Sequence, residues 1–310
     1  MMSTLPLFTQ NSVTSNNKTV HAYLNAALSI NTWRAYRNDL QHFQAWGGTL
    51  PSTPEQIACY LACHAQKHTV ATLTRRLASL SKLHNAQQWT NPVSSALVRS
   101  TLQGIRNQHG VKQRQVAPAI KEDILAMVKN LQGTKGIRDK ALLLIGFAGA
   151  FRRSELASLQ YSDIEHVQQG MIIYLRRSKT DQAGEGRKIA IPHARGAVCP
   201  IIALREWLEH SEITEGPIFR GVNRHGHIGI ETITSQSIAL VVKERAAAVG
   251  LDSTQYSGHS LRAGLVTSAA QAGVSSWKIR QQTGHKSDAM LQRYIRDANI
   301  FVDNAAGAIL

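Results

Sequence analysis

The first 118 residues carry 11 lysines and arginines but only two acids, Asp39 and Glu55, whereas residues 119–310 carry 24 basic and 18 acidic side chains. One fold with interspersed surface charge does not divide its carboxylates this way. The asymmetry predicts two modules: a strongly cationic first one and a more ordinary globular second one. The stretch Gly110–Pro118 lies between them. It has no apolar periodicity and holds Gly, Pro, Lys112 and Arg114, which reads as an extended linker over 111–118. Residues 1–17 are Ser/Thr/Asn-rich and are expected to form a flexible arm.

The net charge of +15 calls for a polyanionic partner. A membrane-spanning role is not expected. The longest apolar run, Ala141 to Phe151, has 11 residues, and a spanning helix needs about 20. No secretory leader is expected either, because the first basic residue is Lys18 and what precedes it is polar. Cys59, Cys63 and Cys199 are an odd, low count, which suits a reducing cytoplasm.

The first module, residues 18–110, reads as helices. Asn31 is the expected cap of a helix to about Trp46, with Trp33, Tyr36, Leu40 and Phe43 as its apolar stripe. Thr53-Pro54-Glu55 opens a second helix. A third runs from Val70 to about Trp89, with Val70, Leu73, Leu77 and Leu80 on one face and Thr72, Arg75, Ser79 and Lys82 roughly opposite. A fourth spans about Pro92 to Gln108. A solvated face is normally laced with acids, and here they are missing. Arg34, Arg37, Gln41, Arg75, Arg76 and Lys82 are therefore expected to contact nucleic acid, joined by Lys112 and Arg114 in the linker. Cys59, Cys63, His64 and His68 mimic metal ligands. On one helix, however, the two pairs point about 140° apart, so no metal site is expected.

The second module, residues 119–296, reads as mostly α with a small antiparallel β-sheet. Helices are expected over about 122–131, 137–150, 198–210, 234–249, 259–272, 275–283 and 287–296. Strands are expected over 162–166, 171–176 and 187–191, the last two joined by a polar hairpin tip. Thr234, Ser235 and Gln236, at a helix start, are a further candidate groove contact.

Four segments of this module hold the informative chemistry: Arg152-Arg153-Ser154-Glu155-Leu156; Ser178-Lys179-Thr180; Gly258-His259-Ser260-Leu261-Arg262; and Thr283-Gly284-His285, followed by Arg293-Tyr294. His259 and Arg262 share a helix face. Two arginines, a lysine and two histidines brought together would make a strongly cationic pocket, with Glu155 as the accompanying acid. Such a pocket suits a phosphodiester, whose transition state spreads negative charge over its oxygens, and the arginine fork binds two such oxygens at once. A tyrosine hydroxyl becomes a competent nucleophile once a base and nearby cations assist it.

In order and spacing these motifs resemble the signature of the tyrosine recombinase (phage integrase) family, and the two-module layout resembles its simple Cre-like and Xer-like members. The resemblance covers about residues 119–296, and the basic helical first module resembles that family's core-binding domain. It implies that Arg152, Glu155, Lys179, His259, Arg262, His285 and Tyr294 are the catalytic residues. Tyr294 would attack a backbone phosphate and form a 3′-phosphotyrosyl link. Arg152, Arg262 and His285 would hold the nonbridging oxygens, Lys179 would protonate the departing 5′ oxygen, and His259 would assist the tyrosine proton. Arg153 would face away or touch DNA. The same resemblance implies no cofactor, double-stranded DNA with an inverted-repeat site as partner, a monomer when free, a tetramer on DNA with a Holliday-junction intermediate, and a cytoplasmic, nucleoid-associated location. It implies further that the tail, residues 297–310, is exchanged between protomers. Two other readings share parts of this pattern: a type IB topoisomerase-like enzyme, and a catalytically silent DNA-binding or architectural protein. Tyr256, three residues before His259, is the rival nucleophile.

Overall fold

The structure is a computed structural model that describes residues 27–111, 115–176, 186–194 and 198–285, together with Tyr23, Leu291 and Tyr294. Lys112, Arg114, Lys179 and the tail 297–310 lie outside the described residues. The chain divides into two compact units between Arg114 and Gln115.

The first unit is helical: α1 (Ile30–Ala45), α2 (Pro54–His64), α3 (Val70–Ala86) and α4 (Ala96–His109), with a short 3₁₀ turn at Pro92–Ser94. Each helix begins on a hydroxyl cap: Ser29, Thr53, Thr69 and Ser95 each accept a backbone N–H from the first turn. Ser29 takes the role expected of Asn31, so α1 starts two residues earlier. Leu40, Phe43, Ile57, Tyr60, Leu61, Leu73, Leu77, Leu80, Val98 and Leu102 form the core.

The second unit is mixed, as its patterning predicts. A three-stranded antiparallel sheet has the order β1 (Ile164–Val167), β2 (Gly170–Leu175), β3 (Arg187–Pro192). Ile173 sits opposite both Ile164 and Ile189, and the alternating residues Met171, Ile173, Leu175, Ile189 and Ile191 face the core. The helices are α5 (Lys121–Val128), α6 (Gly133–Ala148), α7 (Arg153–Ala157), α8 (Pro200–His210), α9 (Ser235–Ala248), α10 (Gly258–Gln271) and α11 (Ser276–Thr283). A second hairpin, β4 (Arg220–Val222) with β5 (Ile228–Thr232), is not expected from the sequence. Its strands are short and mostly exposed, so they lack the alternation that marks a strand.

Three features of this unit position the candidate site. The apolar run Ala141–Phe151 becomes the buried end of α6 and the turn after it, which delivers Arg152 from a fixed wall. Helix α10 runs close to the chain at Ala119: a Cβ on Gly264 would lie 1.7 Å from the Ala119 carbonyl oxygen, so only glycine fits. Gln282 at the end of α11 donates to the carbonyls of Ala148 and Ala190, tying that helix to the ends of α6 and β3. No helix among the described residues is long and apolar enough to cross a membrane.

Candidate active site

Arg152 opens α7, and Glu155 fixes it twice. One carboxylate oxygen accepts the Arg152 backbone N–H at 2.9 Å; the other accepts its guanidinium Nη1 at 2.5 Å. The Arg-x-x-Glu spacing thus has a local cause: one helical turn brings the carboxylate back over the residue that starts it. Glu155 is buried, at 3% exposure, while Arg153 is exposed and its side chain packs by the backbone of Gly258.

Arg262 comes from α10 and is 2% exposed. Its Nη1 donates to the Ala150 carbonyl at 2.8 Å, and its buried Nη2 has no hydrogen-bond partner among the described residues. Desolvation lowers its pKa to about 10, with the charge of Arg152 acting in the same direction. It therefore remains a cation at neutral pH, and a buried cation with an unspent donor is a ready partner for an anion.

The two histidines differ. His259, near the start of α10, is solvent-accessible, and its Nε2 lies 2.9 Å from the Tyr294 hydroxyl. Desolvation of the ring, then Arg262, Arg152 and Arg153, hold its pKa below the ordinary value. A neutral imidazole at hydrogen-bond distance from a phenol can accept its proton. His285 is buried and follows Gly284, which ends α11 in the left-handed conformation at φ +66°. Desolvation and the cations Arg262 and Arg152, with His259 and Arg187 contributing less, lower its pKa to about 4. Its Nδ1 lies 2.8 Å from the hydroxyl of Thr283. That hydroxyl donates to the Ile279 carbonyl, so its oxygen accepts and His285 Nδ1 carries the proton. In the neutral ring, Nε2 is then bare.

Tyr294 packs on a small cluster of Val266, Ala270, Ile279 and Leu291, which holds its ring while its hydroxyl meets His259. The rival Tyr256 is buried and engages Asp123 at 3.4 Å. Its burial and that carboxylate raise its pKa, away from nucleophile chemistry.

Arg152, Glu155, His259, Arg262, His285 and Tyr294 thus lie together, drawn from four separated parts of the chain. Sequence reasoning missed Arg187, the first residue of β3. It donates to the Gln282 carbonyl at 2.8 Å and approaches Glu155 at 3.6 Å.

The candidate DNA-contact residues fare unevenly. Arg34, Arg37, Gln41 and Lys82 are exposed. Arg76 is buried, at 7% exposure, where it donates to the Tyr60 hydroxyl, so its expected role on DNA gives way to one in the core. Arg75 is half-exposed but makes two hydrogen bonds to the buried Asp39, which Ser79 also reaches. The α3 face expected to meet solvent is partly covered by α1. Thr234 caps α9 with its hydroxyl; Ser235 is part-buried and Gln236 exposed. Of the cysteine–histidine quartet, Cys59 and Cys63 are exposed, whereas His64 is buried with its Nδ1 2.8 Å from the Tyr60 carbonyl oxygen.

A tyrosine held against a histidine, beside the buried Arg262 and the part-buried Arg152, is an arrangement suited to phosphoryl transfer. Comparison with known proteins gives that arrangement a family. Residues 116–299 match the phage integrase family. The chain is 41% identical to an integrase/recombinase XerD homolog of Selenomonas ruminantium over 89% of this chain and 84% of that protein. It is 25% identical to recombinase Cre of Escherichia phage P1 over 92% and 88%. Among solved structures, the fold resembles XerH recombinase bound to palindromic difH (TM-score 0.65, 18% identity, 90% and 79% covered) and lambda integrase residues 75–356 bound to DNA (TM-score 0.64, 18% identity, 93% and 96% covered). The chain belongs to the phage integrase family. It is a site-specific tyrosine recombinase, an enzyme that breaks and rejoins DNA strands.

Proposed function

We propose that Tyr294 is the nucleophile of this recombinase and that His259 takes its proton. The observation that carries this reading is the 2.9 Å contact between His259 Nε2 and the Tyr294 hydroxyl, beside a buried arginine whose Nη2 is unspent. The oxygen of Tyr294 attacks the scissile phosphorus, the 5′ oxygen leaves, and the protein is joined to DNA through a 3′-phosphotyrosyl bond. Arg152 and Arg262 bind the nonbridging oxygens, where charge builds up. Lys179 supplies the proton to the departing 5′ oxygen. Reversal by the 5′-hydroxyl of a partner strand rejoins the DNA, and the phosphodiester's energy is kept in the covalent link.

His285 has a conditional role. In the free protein its Nε2 is bare, so it binds a phosphate oxygen only after gaining a proton. The negative phosphate favours that proton, opposing the surrounding arginines. Substrate binding and protonation of His285 are therefore coupled.

The first unit serves as the core-binding domain. Arg34, Arg37, Gln41 and Lys82 meet the duplex, with Lys112 and Arg114 following phosphates between the units and Gln236 touching DNA from α9. The DNA carries an inverted-repeat site, a reading supported by analogy with the palindromic difH substrate of XerH. Four protomers act on two sites through a Holliday junction, in the cytoplasm at the nucleoid. The tail 297–310 docks on a neighbouring protomer. An apolar cleft of about 470 Å³, lined by residues such as Leu125, Phe147, Val198, Leu265 and Val274, supports this as a surface able to take Ile300, Phe301 and Val302.

The test is covalent trapping on a nicked duplex. Tyr294→Phe removes one oxygen, so site binding persists and covalent product disappears. Covalent product from that variant would refute the assignment.

A further inference from the structure

Arg187 is the first residue of β3. Its Nη1 donates to the Gln282 carbonyl at 2.8 Å, in the turn that ends at His285. Its Nη2 faces Glu155 Oε2 at 3.6 Å, beyond hydrogen-bond distance. Both Nε and Nη2 are buried and lack a hydrogen-bond partner among the described residues. Gly284 is moulded against this guanidinium: a Cβ there would lie 2.7 Å from Nη1.

Stability does not explain this arrangement. Two buried, unsatisfied donors on a part-buried arginine are costly, and an apolar side chain of similar size would fill the space with less penalty. The arrangement does explain a geometric need. Arg152 is held by Glu155 on α7, while His285 is held by the end of α11, and these elements are far apart in sequence. The Arg187 side chain reaches both.

We propose that Arg187 is a positioning residue for strand cleavage, its fork tying the Arg152–Glu155 pair to the Gln282–His285 turn and so setting their spacing before DNA binds. This deepens the reading above and rests on it. The groups whose charge bears on His285 are Arg262, Arg152, His259 and Arg187, with Thr283 as its hydrogen-bond partner.

The experiment uses the full chain and a nicked duplex carrying its recombination site, in single-turnover covalent trapping across pH. Arg187→Gln is expected to lower the maximal cleavage rate by about 100-fold, as a displacement on the order of an ångström does, with half-saturating DNA concentration changed less than about threefold. Loss of one cation also favours the charged form of His285. The limb of the pH–rate profile that His285→Asn abolishes should therefore move to higher pH. Arg187→Lys keeps the charge, so that limb stays in place, but one ammonium does not span both partners and the rate stays low. Should Arg187→Gln fail to fold, Arg187→Lys decides alone. Wild-type cleavage by either variant, full rescue by lysine, or a slow Arg187→Gln with an unmoved limb would overturn the proposal. Failure of the underlying reading looks different: Arg152→Ala and His285→Asn would then cleave normally.

Discussion

Two buried carboxylates of the second unit are each ringed by arginines, with opposite outcomes. Asp139, fully buried, spends one oxygen on Arg138 and the other on Arg245; Arg138 also donates to the Arg220 carbonyl. Among the described residues, neither arginine retains a buried, unpaired donor. Glu155 faces Arg152 and Arg187, with Arg262, His259 and His285 close by, and buried donors on Arg187 and Arg262 remain unspent. Residue types alone do not separate the two clusters. Donor satisfaction does: among the described residues the network around Asp139 is closed and the one around Glu155 is open. The first unit falls between the two: Asp39 accepts hydrogen bonds from Arg75 and Ser79, while the buried Nε of Arg76, 3.8 Å from its carboxylate, has no hydrogen-bond partner among the described residues; Arg34, Arg37 and Lys82 are exposed.

The largest expected effects set the two clusters against each other. Arg262→Ala should lower cleavage by about 100- to 1,000-fold yet shift unfolding free energy by no more than about 2 kcal/mol, since one neutral carbonyl is released. Asp139→Ala strands two arginines and should cost about 3–5 kcal/mol of stability. Denaturant unfolding beside covalent trapping reads both. A stability loss for Arg262→Ala as large as for Asp139→Ala would erase the distinction.

Next in size is a pH effect. The folded pKa of His285 is lowered to about 4, while the unfolded ring titrates near 6.5. The unfolded chain therefore takes up a proton first as pH falls. The stability held above pH 6.5 is lost progressively down to about pH 4, by on the order of 3 kcal/mol from this group. The difference between wild type and His285→Asn isolates it from His42, His68 and His259, whose pKa values are also lowered. A difference that does not vary with pH would show that the ring is not held neutral.

The smallest effect concerns the first unit. Arg34→Ala with Arg37→Ala should flatten the slope of log affinity against log salt by about two units, roughly one per phosphate contact. Arg76→Ala should instead lower stability, because it opens the Tyr60 and Asp39 cluster. An unchanged slope in the double variant would move α1 off the DNA.

What is legible in the sequence follows from how local each cause is. Thr53-Pro54-Glu55 announces α2 because cap, proline and acid act within one turn. The apolar alternation of β2 and β3 is likewise readable. The Arg152, His259, Arg262, His285 and Tyr294 set is visible as a pattern of motifs. Arg76 misleads because its partners, Tyr60 and Asp39, come from other helices, and no helical wheel of α3 contains them. Arg187 is invisible for the same reason: a lone arginine opening a strand carries no signal until Glu155 and Gln282 are seen beside it. Thr283 stands within a recognisable motif, but its hold on His285 depends on the turn at Gly284.

The central claim is that the open cluster serves Tyr294. The most direct measurement is mass spectrometry of the covalent protein–DNA adduct formed on a nicked duplex, after digestion to a single linked peptide. The account predicts a 3′-phosphodeoxynucleotide on the Tyr294 side chain. An adduct on Tyr256 or any other residue, or none from a protein that recombines DNA, would contradict it.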